Sequence, residues 1–187
     1  MKWIIAVLLC VSLQTIWAAE SPLAVIKKKD IELQKLLKNK NAPKETIKEL
    51  INSIFDFQKM GRKSLSSSTW KAQSEAKQKE FVASFKEMVE NASIKKLEVY
   101  EADSTLYDPP KVSKRGVKIT AHMWNKGTES VLVYWVDEVN GAWMAWDLII
   151  DDLSTVRNYR EQFRKIIKDK GFDELLKILK EKALENK

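Results

Sequence analysis

Apolar positions change period twice along this chain. Ile47, Leu50, Ile51, Ile54 and Phe55 recur at helical spacing, as do Leu33, Leu36 and Leu37 before them. Ser21 and Pro22 suit the cap and first turn of the first helix, and Pro43 opens the second. After the break at Ser66-Ser67-Ser68, Trp70 leads into a third helix. Phe81, Phe85, Met88 and Val89 form its apolar stripe, with Lys77, Lys79, Glu80, Lys86 and Glu87 as the polar complement. These stripes predict helices packed on a core.

The period then falls towards two. Leu97, Val99 and Glu101 alternate with other residues, and Asp108-Pro109-Pro110 makes a turn. Val117, Ile119, Ala121 and Met123 alternate with Lys118, Thr120, His122 and Trp124, which predicts a strand with one apolar face. Gly127 marks a turn, and Ser130 to Val136 forms a second strand. Asn140-Gly141 is the strongest local signal, a two-residue hairpin with positive φ, after which Ala142 to Ile150 returns. An uninterrupted register sets Val139 against Ala142, Trp135 against Trp146, Val133 against Leu148 and Val131 against Ile150. One face then carries Val131, Val133, Trp135, Met144, Trp146, Leu148 and Ile150 without a charge, and that is the face expected to be buried.

The last third is helical again. Ser154 caps a helix with Val156, Tyr159, Phe163, Ile166 and Ile167 on one stripe. Gly171 stops it, and Phe172, Leu175, Leu176 and Leu179 stripe another. Helices, an antiparallel sheet and helices again make an α+β chain.

The first residues have a different character. Lys2 precedes an apolar run from Trp3 to Leu13, with Ala18 and Ala19 at its exit, which describes a secretory signal peptide over residues 1–19. Residues 20–187 are then expected to form a single domain. Within it, 20–70 is an N-terminal helical part, 71–153 a helix plus antiparallel sheet, and 154–187 the C-terminal helices. Cys10, the only cysteine, leaves with the signal, so disulfides and thiol chemistry are excluded from the mature chain. The signal also removes Lys2, one unit from a formal charge of +7, and the remaining excess favours anionic partners by long-range steering. For an exported protein those are lipid surfaces and acidic protein patches, not nucleic acid.

Catalytic constellations are missing. His122 is the only histidine and falls on the mixed face of its strand, as a surface residue. Five scattered glycines make no phosphate loop, and a metal site without cysteine and with one histidine is not expected. Asp151 and Asp152 precede the Ser154 cap, where they favour the helix N-terminus electrostatically. The expectation is no enzyme and no cofactor. Trp124, Trp135, Trp143 and Trp146 crowd the sheet, and from the residues alone they fit either a filled aromatic core or a ligand cavity.

Several short runs occur together and in order: Phe55-Asp56-Phe57 with Met60 and Leu65 before Trp70, then Phe81 and Phe85. Trp146-Asp147-Leu148, Leu153-Ser154, Asn158-Tyr159-Arg160 and Phe163 follow, and then Gly171, Phe172, Leu175 and Leu176. In these runs the chain resembles the MlaC-type periplasmic phospholipid-binding family, also called the toluene-tolerance family. Ser66 and Asp152 stand where the family has glycine.

The resemblance implies helices on one face of a twisted antiparallel sheet, in an NTF2-like or cystatin-like arrangement, enclosing an apolar pocket. A phospholipid's two acyl tails would lie in that pocket with the headgroup outside. It implies a periplasmic carrier working between an outer-membrane lipoprotein complex and an inner-membrane ABC transporter with MCE domains. A binding protein for a hopanoid or quinone, or an interaction protein with a filled core, remain the alternatives. The expected lipid-binding residues are the uncharged hairpin face named above, with Val117, Ile119, Ala121 and Met123 from the neighbouring strand. Phe81 and Phe85 from the third helix, and Phe163 and Ile167 from the penultimate one, complete the set. Arg160 and Asp147 are expected to make structural bonds, each on its own or with the other.

Overall fold

The computed structural model describes residues 20–39, 41–94 and 97–185, so the expected signal peptide lies outside the described residues. Among the described residues five helices come first: α1 (Pro22–Lys38), α2 (Lys44–Ile54), α3 (Phe57–Lys63), α4 (Ser67–Lys71) and α5 (Glu75–Ile94). A 3-10 turn at Leu97–Tyr100 occupies the start of the alternating stretch, ahead of any strand. Six strands follow: β1 (Ser104–Tyr107), β2 (Lys111–Ser113), β3 (Gly116–Asn125), β4 (Thr128–Val139), β5 (Ala142–Ile150) and β6 (Leu153–Ser154). Two helices close the chain, α6 (Thr155–Lys170) and α7 (Phe172–Glu185). Among the described residues no helix is long and apolar enough to cross a membrane.

Local chemistry sets these boundaries. Ser21 accepts from the Ala24 amide with Pro22 behind it, and Ser154 caps α6 through the Arg157 amide. Ser66, where a glycine stands in the resembling family, caps α4 by accepting from Thr69 in ordinary extended backbone. The second helical stripe does not run through Phe55. That residue is extended and bridges to Ala145, while the Asp56 amide donates to the Ala145 carbonyl at 2.8 Å. This tie fastens the start of α3 to the edge of β5.

The sheet is antiparallel, in the order β1-β3-β4-β5-β6, with β2 continuing the β1 edge beside β3. Helices cover one face. Val117, Ile119, Ala121 and Met123 lie on it and are buried, as are Leu132, Tyr134 and Val136 opposite them. The fold is therefore the α+β arrangement the pattern implies.

The hairpin register is a correction. It runs as expected from Val139–Ala142 to Val136–Ala145, and then slips: Trp135 faces Asp147, Tyr134 faces Leu148, Val133 faces Ile149 and Leu132 faces Ile150. Trp146 is the extra residue of a β-bulge, and one unpaired residue reverses the side-chain parity of everything beyond it. Leu148 and Ile150 thus join the helix-covered face, together with Leu132 and Tyr134. Val131, Val133, Trp135, Met144 and Trp146 stay on the outer face. The face without charges is not one face at all.

One acid lies inside. Asp30 of α1 is fully buried and accepts from the Tyr107 and Tyr134 hydroxyls, each at 2.9 Å. Burial pushes its carboxyl up to about 7, against the two phenol bonds that pull it down. Burial and the neighbouring Asp30 push Tyr100 and Tyr134 upward in turn. These bonds pin α1 to β1 and β4.

Candidate functional site

Between the helices and the β5 end of the sheet lies an apolar cavity of about 370 Å³. That volume falls near the lower end of the ~300–1,000 Å³ typical of small-molecule sites. Leu33 and Ile51 reach it from α1 and α2, Phe57 and Met60 from α3, and Val89 from α5. Phe55, Leu97 and Tyr100 come from connecting segments, Leu148 and Ile150 from β5, and Asn158 and Tyr159 from α6. Ser93, Ser154 and Thr155 are among its polar members, and the Thr155 hydroxyl already donates to the Leu148 carbonyl at 2.8 Å. Among the described residues Asp151 is the lining's one carboxylate, exposed at the turn into β6. The described residues can therefore solvate an alkyl chain and place no charge deep inside.

The rim is built at the β5–β6 turn. Asp151 and Asp152 sit in the left-handed region, with φ of 45° and 67°, and they project Leu153 outward, 74% exposed. Asp152 occupies a position where the resembling family has glycine, and its positive φ is the backbone reason a glycine suits that place.

Of the fifteen expected lipid-binding residues, Leu148 and Ile150 line this cavity. Val117, Ile119, Ala121 and Met123 are buried beneath the helices on β3, in the packed core. Phe81, Phe85 and Phe163 form a filled aromatic cluster: Phe81 stacks on Phe85 at 5.9 Å, and Phe163 meets their rings edge-on at 5.9 and 6.0 Å. Gly61 lets these rings approach, since a Cβ there would come within 3.1 Å of Phe85. Ile167 is half-buried against the core on α6. Val131, Val133, Trp135, Met144 and Trp146 face the other side of the sheet, for the reason the bulge supplies. Most of the lining that residue patterns missed sits on stripes or runs already visible, such as Leu33, Ile51, Val89 and Tyr159. What no stripe states is which of its members face a void.

The outer face has its own order. Trp135 and Trp146 stack at 6.3 Å, and the Arg115 guanidinium lies 4.5 Å from the first ring and 5.6 Å from the second. Asp147 is buried there, accepting from the Ser154 hydroxyl at 2.8 Å and the Val156 amide at 3.1 Å. Burial pushes its carboxyl up, opposed by those bonds and by Arg115. Arg160 donates from Nε to the Lys63 carbonyl at 2.8 Å, and from Nη2 to the same oxygen. Both residues are thus engaged in separate bonds to backbone and hydroxyl groups.

His122 is a surface residue between Glu129, 2.7 Å away, and Asp108, 3.4 Å away; the bond to Glu129 raises its pKa. Among the described residues no group of three or more histidine, cysteine or carboxylate side chains is placed to hold a metal ion.

Residues 19–181 match the family model described as MlaC protein. No curated protein matches the sequence significantly. Among solved structures, the chain is similar to a phospholipid-binding protein from Ralstonia solanacearum, solved in complex with a phospholipid. The TM-score is 0.76, over 89% of this chain and 99% of that one, at 18% identity. At that identity the likeness concerns the fold.

Proposed function

The chain belongs to the MlaC family, and on that footing we propose that it is an exported phospholipid carrier and not a catalyst. It takes lipid from one membrane complex and delivers it to another across the periplasm. An outer-membrane lipoprotein complex and an inner-membrane ABC transporter with MCE domains are its partners, and outer-membrane lipid asymmetry is the outcome. The observation that carries this reading is the apolar cavity between helices and sheet, with Leu148 and Ile150 in its wall and Leu153 exposed at its rim.

The need for such a cavity follows from magnitude. Exposing two acyl chains, ~30 methylenes at ~0.8 kcal/mol each, costs about 24 kcal/mol, so unassisted passage through water is negligible. Transfer from bilayer to apolar cavity is near neutral by comparison, so direction comes from docking and from ATP at the transporter. At about 370 Å³ the cavity is small for two chains. A full lipid therefore requires the lining helices to part, α3 with Met60 and α6 with Tyr159 among them. The same size favours a second reading, a single-chain or isoprenoid amphiphile.

Purified protein extracted with organic solvent, followed by mass spectrometry, tests the proposal. Near-stoichiometric two-chain phospholipid is the expected result. A hopanoid, a quinone or nothing bound overturns it. Fractionation of expressing cells tests the periplasmic address.

A further inference from the structure

A second concavity, of about 660 Å³, opens on the outer face of the sheet, behind the wall that carries Leu148. It meets the apolar cavity only at Ser154, which lines both. Its chemistry is opposite. Six cations converge on it from three separate segments: Lys59 and Lys63 from α3, Lys114 and Arg115 from the β2–β3 turn, and Arg157 and Arg160 from the first turns of α6. Three carboxylates share the lining, Asp137, Asp147 and Asp152.

Two of those acids are already engaged, Asp137 with Lys59 and Asp147 with Ser154 and the Val156 amide. Among the described residues no carboxylate pairs within 4.0 Å with Lys63, Lys114 or Arg115. The cations are also held in place. Arg115 lies over Trp135 and Trp146, while Lys59 and Lys63 stand 5.2 and 5.7 Å from the Trp146 ring centre. Like charges gathered in one concavity repel each other, and Lys59 shows the strain: burial first, then Lys63, lowers its pKa. Trp146 is 5% exposed, and its indole N–H is buried without a hydrogen-bond acceptor. Such an unmet donor is costly, and its ring lines this concavity.

The geometry points to a second binding site here, for a phosphate-bearing anion, with Arg115 and Lys63 as the charged donors and Trp146 as the floor. A phosphate's tetrahedral oxygens accept from several donors at once, and its charge offsets the excess of cations. The source of the phosphate is either a soluble ion or a phospholipid headgroup at a membrane surface. The site stands independently of the apolar cavity, and its failure would leave the carrier reading untouched.

The experiment follows the Trp146 indole N–H resonance, assigned by its loss in Trp146→Phe, while inorganic phosphate is added at low ionic strength. In parallel, the protein is sedimented with vesicles of phosphatidylglycerol or of phosphatidylcholine. A downfield shift on adding phosphate identifies a soluble-ion site. Phosphatidylglycerol-selective sedimentation weakened in Trp146→Phe identifies a headgroup site, and either outcome supports the proposal. The paired change Lys63→Ala and Arg115→Ala is expected to weaken the responding interaction at least tenfold. Lipid recovered from the apolar cavity should be unchanged, because neither side chain lines it. Silence with both probes overturns the site, as does a shift produced by polyglutamate and not by phosphate, which would make this face a protein-docking surface.

Discussion

Acids on the two faces of the sheet differ in the charges around them. On the helix-covered face Asp30 is fully buried, bonded to Tyr107 and Tyr134, and no cation forms an ion pair with it among the described residues. On the outer face Asp137 pairs with Lys59, and Asp147, buried and bonded to Ser154 and the Val156 amide, also feels Arg115's charge. The inner acid is held by neutral donors in a dry setting, where ionisation is disfavoured. The outer acids lie among a predominance of cations. A single strand, β5, serves both: Leu148 and Ile150 face the apolar cavity, while Trp146 faces the cations. The sheet thus divides two environments, one fit for alkyl chains and one rich in cations.

The division breaks most severely if a charge crosses to the wrong side. Leu148→Asp places a carboxylate in the apolar wall, and it should cost on the order of 5 kcal/mol and abolish lipid co-purification. Met144→Asp, two positions before the bulge on the outer face, should cost under about 1 kcal/mol and keep the lipid. Denaturant melts with lipid quantification check both; equal losses in the two variants would erase the distinction between the faces.

Asp30 offers the next largest effect. Its folded pKa of about 7 stands above the ordinary carboxylate value of 3.8, so the folded state binds the proton more tightly than the unfolded chain does. The stability this contributes is complete below pH ~4 and is lost as pH rises through ~7. Asp30→Asn should therefore gain relative to the native chain by on the order of 4 kcal/mol between pH 4 and pH 8. Chemical denaturation at both pH values checks it, and parallel stability curves would refute a neutral inner acid.

Ser154 joins the two faces. Its hydroxyl caps α6 at the Arg157 amide and donates to Asp147, so Ser154→Ala should cost roughly 1–2 kcal/mol. Loss of the bond to Asp147 should also show as a rise in that carboxyl's pKa, followed by NMR. The smallest change is at the rim. Asp152→Gly relieves a left-handed backbone at φ 67° and should gain about 0.5 kcal/mol without altering lipid occupancy. A loss of stability there would mean that the Asp152 side chain supports the turn.

Much of the fold was legible because its signals are local. The stripes of α2, α5, α6 and α7, the Ser21 and Ser154 caps, and the Asn140-Gly141 turn, with φ of 51° and 80°, need only neighbours a few residues away. The short runs shared with a known family were legible for the same reason. The cavity was not, because its lining comes from α1, α2, α3, α5, α6, β5 and the segments between them. Phe81 and Val89 sit on one helical stripe, yet the first is packed among rings and the second faces the cavity.

By itself, then, the sequence determined the α+β order, the family and the positions of most element ends, since propensity, capping and turn chemistry act over a handful of residues. Only the tertiary structure decided which side of β5 each residue occupies. The Asp56 amide bonds to Ala145, Trp146 bulges out beneath Lys59, Lys63 and Arg115, and the parity of everything beyond it is reversed. A strand's alternation carries no mark of an inserted residue, because a bulge is a choice made by the partner strand and by what packs above it.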